Sequence, residues 1–219
     1  MTFSNDDGVV LLHGLGRTLG SMRLLGMRIE RAGFRTKCIR YPSTRHGLDA
    51  IAAALEPRVD RFAATIPGKI HFVTHSLGGL AVRGLLTRYR PENLGRVVML
   101  APPNGGSEWA DALVKLRLAS FILGPVSEHL ATQRSATAER CFGPIDYPLG
   151  IIAGDRPIDP IFARLLMTGP HDGKVSVAST KVDGMTDHLV LPVGHPLMPF
   201  HPKVAHQAIT FLMDGEFTR

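Results

Sequence analysis

The chain has 219 residues, 44% hydrophobic and 20% charged, with a net charge of +6 and two cysteines. That length suits one sizeable hydrophobic core and falls short of two ordinary domains, so a single domain over residues 1–219 is expected. No apolar run reaches the span of a membrane helix, and the basic residues are too dispersed, with no interleaved aromatics, for a nucleic-acid surface.

In chain order, Gly8–Leu12 is a short apolar run ending at His13-Gly14, the pattern of a buried strand. Gly20–Ala32 places Met22, Leu25, Ile29 and Ala32 at helical spacing, closed by Gly33. Phe34–Tyr41 reads as a second strand ended by Pro42, and Leu48–Phe62 as a helix that Pro57 kinks or splits. Ile70–Val73 is a third strand, followed by Thr74-His75-Ser76-Leu77-Gly78-Gly79 and a helical run Leu80–Leu86. Arg96–Leu100 is another buried strand. The alternation then lapses over 102–147, which reads as a cap or insertion holding a helix over Glu108–Leu123. Leu149–Ala153 and His188–Val193 are the last strands, and Val204–Met213 is the closing helix. Strands alternating with helices imply an α/β protein, a mostly parallel sheet with helices on both faces.

His75-Ser76-Leu77-Gly78 matches the second half of the G-x-S-x-G turn, in which a serine is presented between a strand and a helix. Thr74 stands where the first glycine would be. A nucleophilic serine needs a base, a carboxylate to orient that base, and N–H donors for an oxyanion. In such sheets the acid and then the histidine follow the serine. His195, on the loop after the last strand, is placed for the base, whereas His188 begins that strand and points to the opposite edge. Two aspartates compete for the acid. Asp155 follows a strand directly, and Asp172 opens an Asp-Gly turn that can aim a carboxylate inward, which favours Asp172. The oxyanion donors fall on the backbone N–H groups of Leu15 and Leu77.

Together, Val9–Gly16, Thr74–Gly79, Asp172–Val175 and Gly194-His195 resemble an α/β-hydrolase of the bacterial lipase and esterase type, over nearly the whole chain. Pro103-Asn104-Gly105-Gly106-Ser107 is also similar to a Pro-x-x-Gly-Ser segment of bacterial lipases. The resemblance implies a minimal α/β-hydrolase fold that starts at the family's third strand. It implies carboxylic-ester hydrolysis through an acyl-enzyme on Ser76, with Asp172 and His195 completing the triad and Leu15 and Leu77 forming the oxyanion hole. It implies a small-molecule ester or lipid substrate. No cofactor or metal, no nucleic acid and no stable membrane insertion are expected.

Thioesterases and acyltransferases use the same groups, and a binding protein of this fold without turnover is the alternative from another class. A dinucleotide site is disfavoured, because Gly14, Gly16 and Gly20 miss the G-x-G-x-x-G spacing. Within the insertion, Trp109, Leu113 and Leu116 share one helical face and are expected to contact substrate. If that helix roofs the pocket, medium acyl chains are preferred over acetyl; if it packs on the sheet, the pocket lies elsewhere. The N-terminus lacks a secretory signal, and Cys38 and Cys141 read as free thiols, so a cytoplasmic protein is expected. Its basic residues read as a solvated face, with attraction to anionic lipid or substrate as the alternative.

Overall fold

The computed structural model describes residues 6–158 and 167–219. Met1–Asn5, the start of the segment read above for a secretory signal, lie outside it. The apolar runs become strands β1 (Gly8–Leu12), β2 (Arg35–Ile39), β3 (Ile70–His75), β4 (Leu94–Leu100), β5 (Leu149–Gly154) and β6 (Asp187–Leu191). They form one sheet in the order β2-β1-β3-β4-β5-β6, with every pairing parallel.

Side chains alternate across a strand, so β1 feeds two cores. Val10 and Leu12 join Phe72, Met99 and Ile151 beneath helices α2 (Leu48–Ala63) and α3 (Leu77–Arg88). Val9 and Leu11 join Val73, Leu100 and Ile152 beneath α1 (Gly20–Arg31) and the closing helix Pro202–Asp214. Both faces of the sheet are therefore covered, which parallel strands require because each is apolar on both sides.

Helix α2 runs unbroken through Pro57. The proline lies on the exposed face, where water can serve the carbonyl that loses its N–H partner. The expected helix over Glu108–Leu123 does break. It stops after α4 (Glu108–Lys115), and a short turn of helix resumes over Ala119–Ile122. Leu118 N–H bonds the Leu113 carbonyl and Arg117 N–H bonds the Val114 carbonyl, a Schellman stop with Arg117 in the left-handed region at φ 57°. Among the described residues no helix is long and apolar enough to cross a membrane.

Candidate active site

Strand order decides where a ligand can sit. From β1 the chain crosses outward to β2 and then returns to β3 on β1's other side, so the carboxyl ends of β1 and β3 flank a topological switch point. His13-Gly14-Leu15 leaves β1 there, and His75-Ser76 leaves β3 there.

At the end of β3 the backbone turns through Ser76 at φ 55° and ψ −124°, a conformation sparsely populated by non-glycine residues. Ser76 N–H bonds the Leu100 carbonyl and its own carbonyl accepts from Gly79 N–H, both at 2.8 Å. The following helix sits close on the sheet: a Cβ on Gly78 would lie 2.7 Å from the Leu12 carbonyl oxygen. A Cβ on Gly14 would lie 3.1 Å from His75 Nδ1 and 3.2 Å from that of Ser76, so glycine lets the β1 loop pass close beside this turn without displacing either side chain. Thr74, in place of the motif's first glycine, is fully buried near the end of the strand.

Three side chains meet at Ser76. His195 Nε2 lies 3.0 Å from Ser76 Oγ, and His195 Nδ1 lies 2.7 Å from Asp172 Oδ2. A carboxylate only accepts, so Nδ1 carries the proton and Nε2 is left to accept from the serine hydroxyl. The other oxygen of Asp172 accepts the N–H groups of Lys174 at 3.0 Å and Val175 at 2.9 Å, in a turn closed by Gly173 at φ 100°. Asp172 is 1% exposed and His195 5%, whereas the Ser76 hydroxyl opens onto the cavity. Asp155, the other candidate acid, hydrogen-bonds no histidine among the described residues; its carboxylate lies 4.0 Å from Arg156 Nε. His188 is turned away and shares a 2.9 Å hydrogen bond with Thr180.

Leu15 lines the same opening, and Leu77 follows Ser76 as the first residue of α3. The loop that carries Leu15 is tied at both ends to the segment after β2. Tyr41 donates its hydroxyl proton to the His13 carbonyl while its ring stacks on His13 at 4.4 Å, and Ser43 Oγ accepts from Gly16 N–H at 3.1 Å.

Sequence reasoning passed over His75 as a functional group. Its Nε2–H donates to the His195 carbonyl at 3.0 Å, and the two rings lie 4.8 Å apart. This bond fixes the backbone that carries His195. Burial, and secondarily the nearby His195, holds the His75 pKa well below the ordinary histidine value. Nothing local in Thr74-His75-Ser76 signals a contact made 120 residues away.

The cavity at Ser76 is lined on its apolar side by Pro103, Trp109, Ala110, Leu130 and Val175. Of the three residues expected to contact substrate, it contains Trp109 alone. Leu113 is 8% exposed within the core beneath α3, and Leu116 is 66% exposed at the helix stop. All three precede the break at Arg117, so the helical face is intact; what separates them is that Leu113 packs into the core while Leu116, at the helix stop, faces outward.

No protein-family model and no curated protein sequence matches the chain. Solved structures do. The mature form of the Bacillus licheniformis lipase BlEst2 superposes with a TM-score of 0.76 at 19% identity, covering 93% of this chain and 88% of the lipase. Phospholipase PlaB from Legionella pneumophila, in complex with thio-NAD, gives 0.73 at 20% identity, over 95% of this chain and 58% of that one. The RedJ thioesterase of Streptomyces coelicolor gives 0.59 at 15%, over 96% and 92%. The chain has the α/β-hydrolase fold. Ser76 lies beside the switch point of this sheet, at the end of β3.

The buried imidazoles of this α/β-hydrolase fold make its stability pH-dependent. Burial lowers the pKa of His13 and, most strongly, of His75 below the ordinary 6.5. Unfolded, both bind a proton as pH falls below 6.5; folded, they resist it. Stability is therefore full above that pH and is lost below it, by up to about 1.4 kcal/mol per pH unit for each histidine kept neutral. Denaturant midpoints measured from pH 7.5 to 5 are expected to fall, and less steeply in His75→Gln. A flat profile would contradict neutral burial.

Proposed function

We propose that the protein is a serine hydrolase of carboxylic esters that works through an acyl-enzyme on Ser76. The observation that carries this reading is the line of hydrogen bonds from Asp172 Oδ2 through His195 to Ser76 Oγ, at 2.7 and 3.0 Å. Ser76 Oγ attacks the ester carbonyl carbon while His195 Nε2 takes its proton. The carbonyl oxygen becomes an oxyanion held by the Leu15 and Leu77 N–H groups, and Asp172 stabilises the imidazolium. His195 then returns the proton to the leaving alcohol. A water, activated by the same imidazole, releases the acid.

The proteins of this fold named above are a lipase, a phospholipase and a thioesterase, which favours hydrolysis of an ester or thioester and leaves the choice between them to a direct comparison. The test is a fluorophosphonate. It is expected to label Ser76 alone and to abolish hydrolysis of p-nitrophenyl acetate in proportion to labelling; labelling elsewhere, or activity that survives it, refutes the assignment.

The recess at Ser76 is about 60 Å³. Pockets for larger ligands run to roughly 300–1,000 Å³, so acetyl and butyryl esters are expected to be cleaved faster than octanoyl ones. This replaces the medium-chain expectation, and Trp109 is the side chain that sets it. Trp109→Ala enlarges the recess and is expected to move the optimum toward longer chains, each further buried methylene contributing about 0.8 kcal/mol at most. Values of kcat/KM across an acyl series check this; an unchanged profile would place the acyl chain elsewhere.

A further inference from the structure

Arg17 lines both the recess at Ser76 and a second cleft of about 500 Å³. Arg17, Arg40, Arg45 and Arg58 line this cleft, and among the described residues no carboxylate does. They converge from three places: Arg17 from the loop after β1, Arg40 and Arg45 from the loop after β2, and Arg58 from α2. All four are exposed, and none is ion-paired among the described residues. Arg58 donates to the Arg40 carbonyl at 2.5 Å, which orients it without neutralising it. On the far side of the recess, the Lys174 ammonium lies 4.3 Å from the centre of the Trp109 ring.

Cations on an edge strand guard against pairing with another sheet, and that accounts for Arg35 and Lys37 on β2. It does not account for Arg17, Arg45 and Arg58, which lie off the strand. Four guanidinium groups around one concavity repel one another and concentrate anions there. Their paired donors match phosphate oxygens. Ser43 adds a hydroxyl at the same place; it accepts Gly16 N–H at 3.1 Å and keeps its own proton to donate.

We propose that the alcohol part of the ester carries a phosphate group, which binds in this arginine-lined cleft; the inference rests on the serine-hydrolase reading above. The acyl group enters the recess under Trp109, and the alcohol leaves past Arg17. The phosphate ester is untouched. Ser76 Oγ bonds the acyl carbon, the acyl C–O bond breaks, and the phosphate-bearing alcohol departs with the proton from His195 Nε2.

The test compares 1-butyrylglycerol 3-phosphate with 1-butyrylglycerol at fixed ionic strength. The wild-type protein is expected to favour the phosphate ester by about tenfold or more in kcat/KM. Arg45→Ala and Arg58→Ala are each expected to collapse that ratio, and Arg45→Lys to restore part of it. Arg31→Ala, which removes the same charge from α1 outside the cleft, is expected to leave the ratio as it was. Titration calorimetry with glycerol 3-phosphate reads the cleft apart from the chemistry: binding is expected to survive Ser76→Ala and to be lost in the Arg45→Ala/Arg58→Ala double variant. Faster cleavage of phosphatidic acid vesicles than of the soluble ester makes the source a lipid, and slower cleavage a soluble ester. Equal kcat/KM for the two glycerol esters, or a ratio indifferent to Arg45 and Arg58, overturns the proposal. Absence of hydrolysis of either ester, with no phosphonate label on Ser76, overturns the serine-hydrolase reading instead.

Discussion

Replacing Ser76 by alanine is expected to lower turnover of a generic ester by about a millionfold while leaving the fold intact. The size of the effect follows from the geometry. Among the described residues Ser76 Oγ is the one side-chain oxygen bonded to His195 Nε2, at 3.0 Å, and the Leu15 loop lines the same opening. Without Oγ, the oxyanion donors and the recess still bind the ester, but no acyl-enzyme can form; the residual rate is that of water in a preorganised site. Stability is expected to change little, or to rise, because alanine gives up only one hydrogen bond from a half-exposed hydroxyl. Burst kinetics in the wild-type protein, and their absence in the variant, check the acyl-enzyme directly. Near-normal turnover in Ser76→Ala would remove the serine from the reaction.

Asp172→Asn is expected to lower kcat by about 10⁴-fold. Asp172 Oδ1 accepts two backbone N–H groups, from Lys174 and Val175, so an asparagine there must keep its carbonyl oxygen on that side. Its amide nitrogen then faces His195 Nδ1, where Oδ2 stood at 2.7 Å. Two donors cannot pair, so the imidazole shifts its proton to Nε2 and can no longer accept from Ser76. Asp155→Asn makes no such demand, since Asp155 contacts Arg156 rather than the histidine, and a change of only a few-fold is expected. Steady-state kinetics of the pair, with denaturation midpoints to show that both fold, decide the matter. The reverse ranking would transfer the acid to Asp155.

Much of this arrangement was legible in the chain. Apolar runs such as Val9–Leu12 and Ile70–Val73, with helical spacing between them, determine strands and helices because side-chain periodicity is local. The turn at His75-Ser76-Leu77-Gly78 and the Asp172-Gly173 step are likewise local, since each depends on which residues tolerate a tight backbone. Their order along the chain, serine then aspartate then histidine, was enough to nominate Ser76, Asp172 and His195.

Tertiary structure decided the rest. Two aspartates stood in candidate turns, with the Asp-Gly step favouring Asp172, and the folding of β5, β6 and the loops beyond them brings Asp172, rather than Asp155, to His195. The helical pattern over Glu108–Leu123 was real in period. The chain nevertheless turns left-handed at Arg117, ending the helix, and within it tertiary packing buries Leu113 and leaves Leu116 exposed. His75 reaches the His195 carbonyl across the carboxyl ends of the sheet, and four arginines from three elements meet beside the β1 loop because the order β2-β1-β3 sets the loops after β1 and β2 side by side. Periodicity and turn chemistry act over a few residues, whereas these contacts join positions up to 120 residues apart and exist only once the strands have paired.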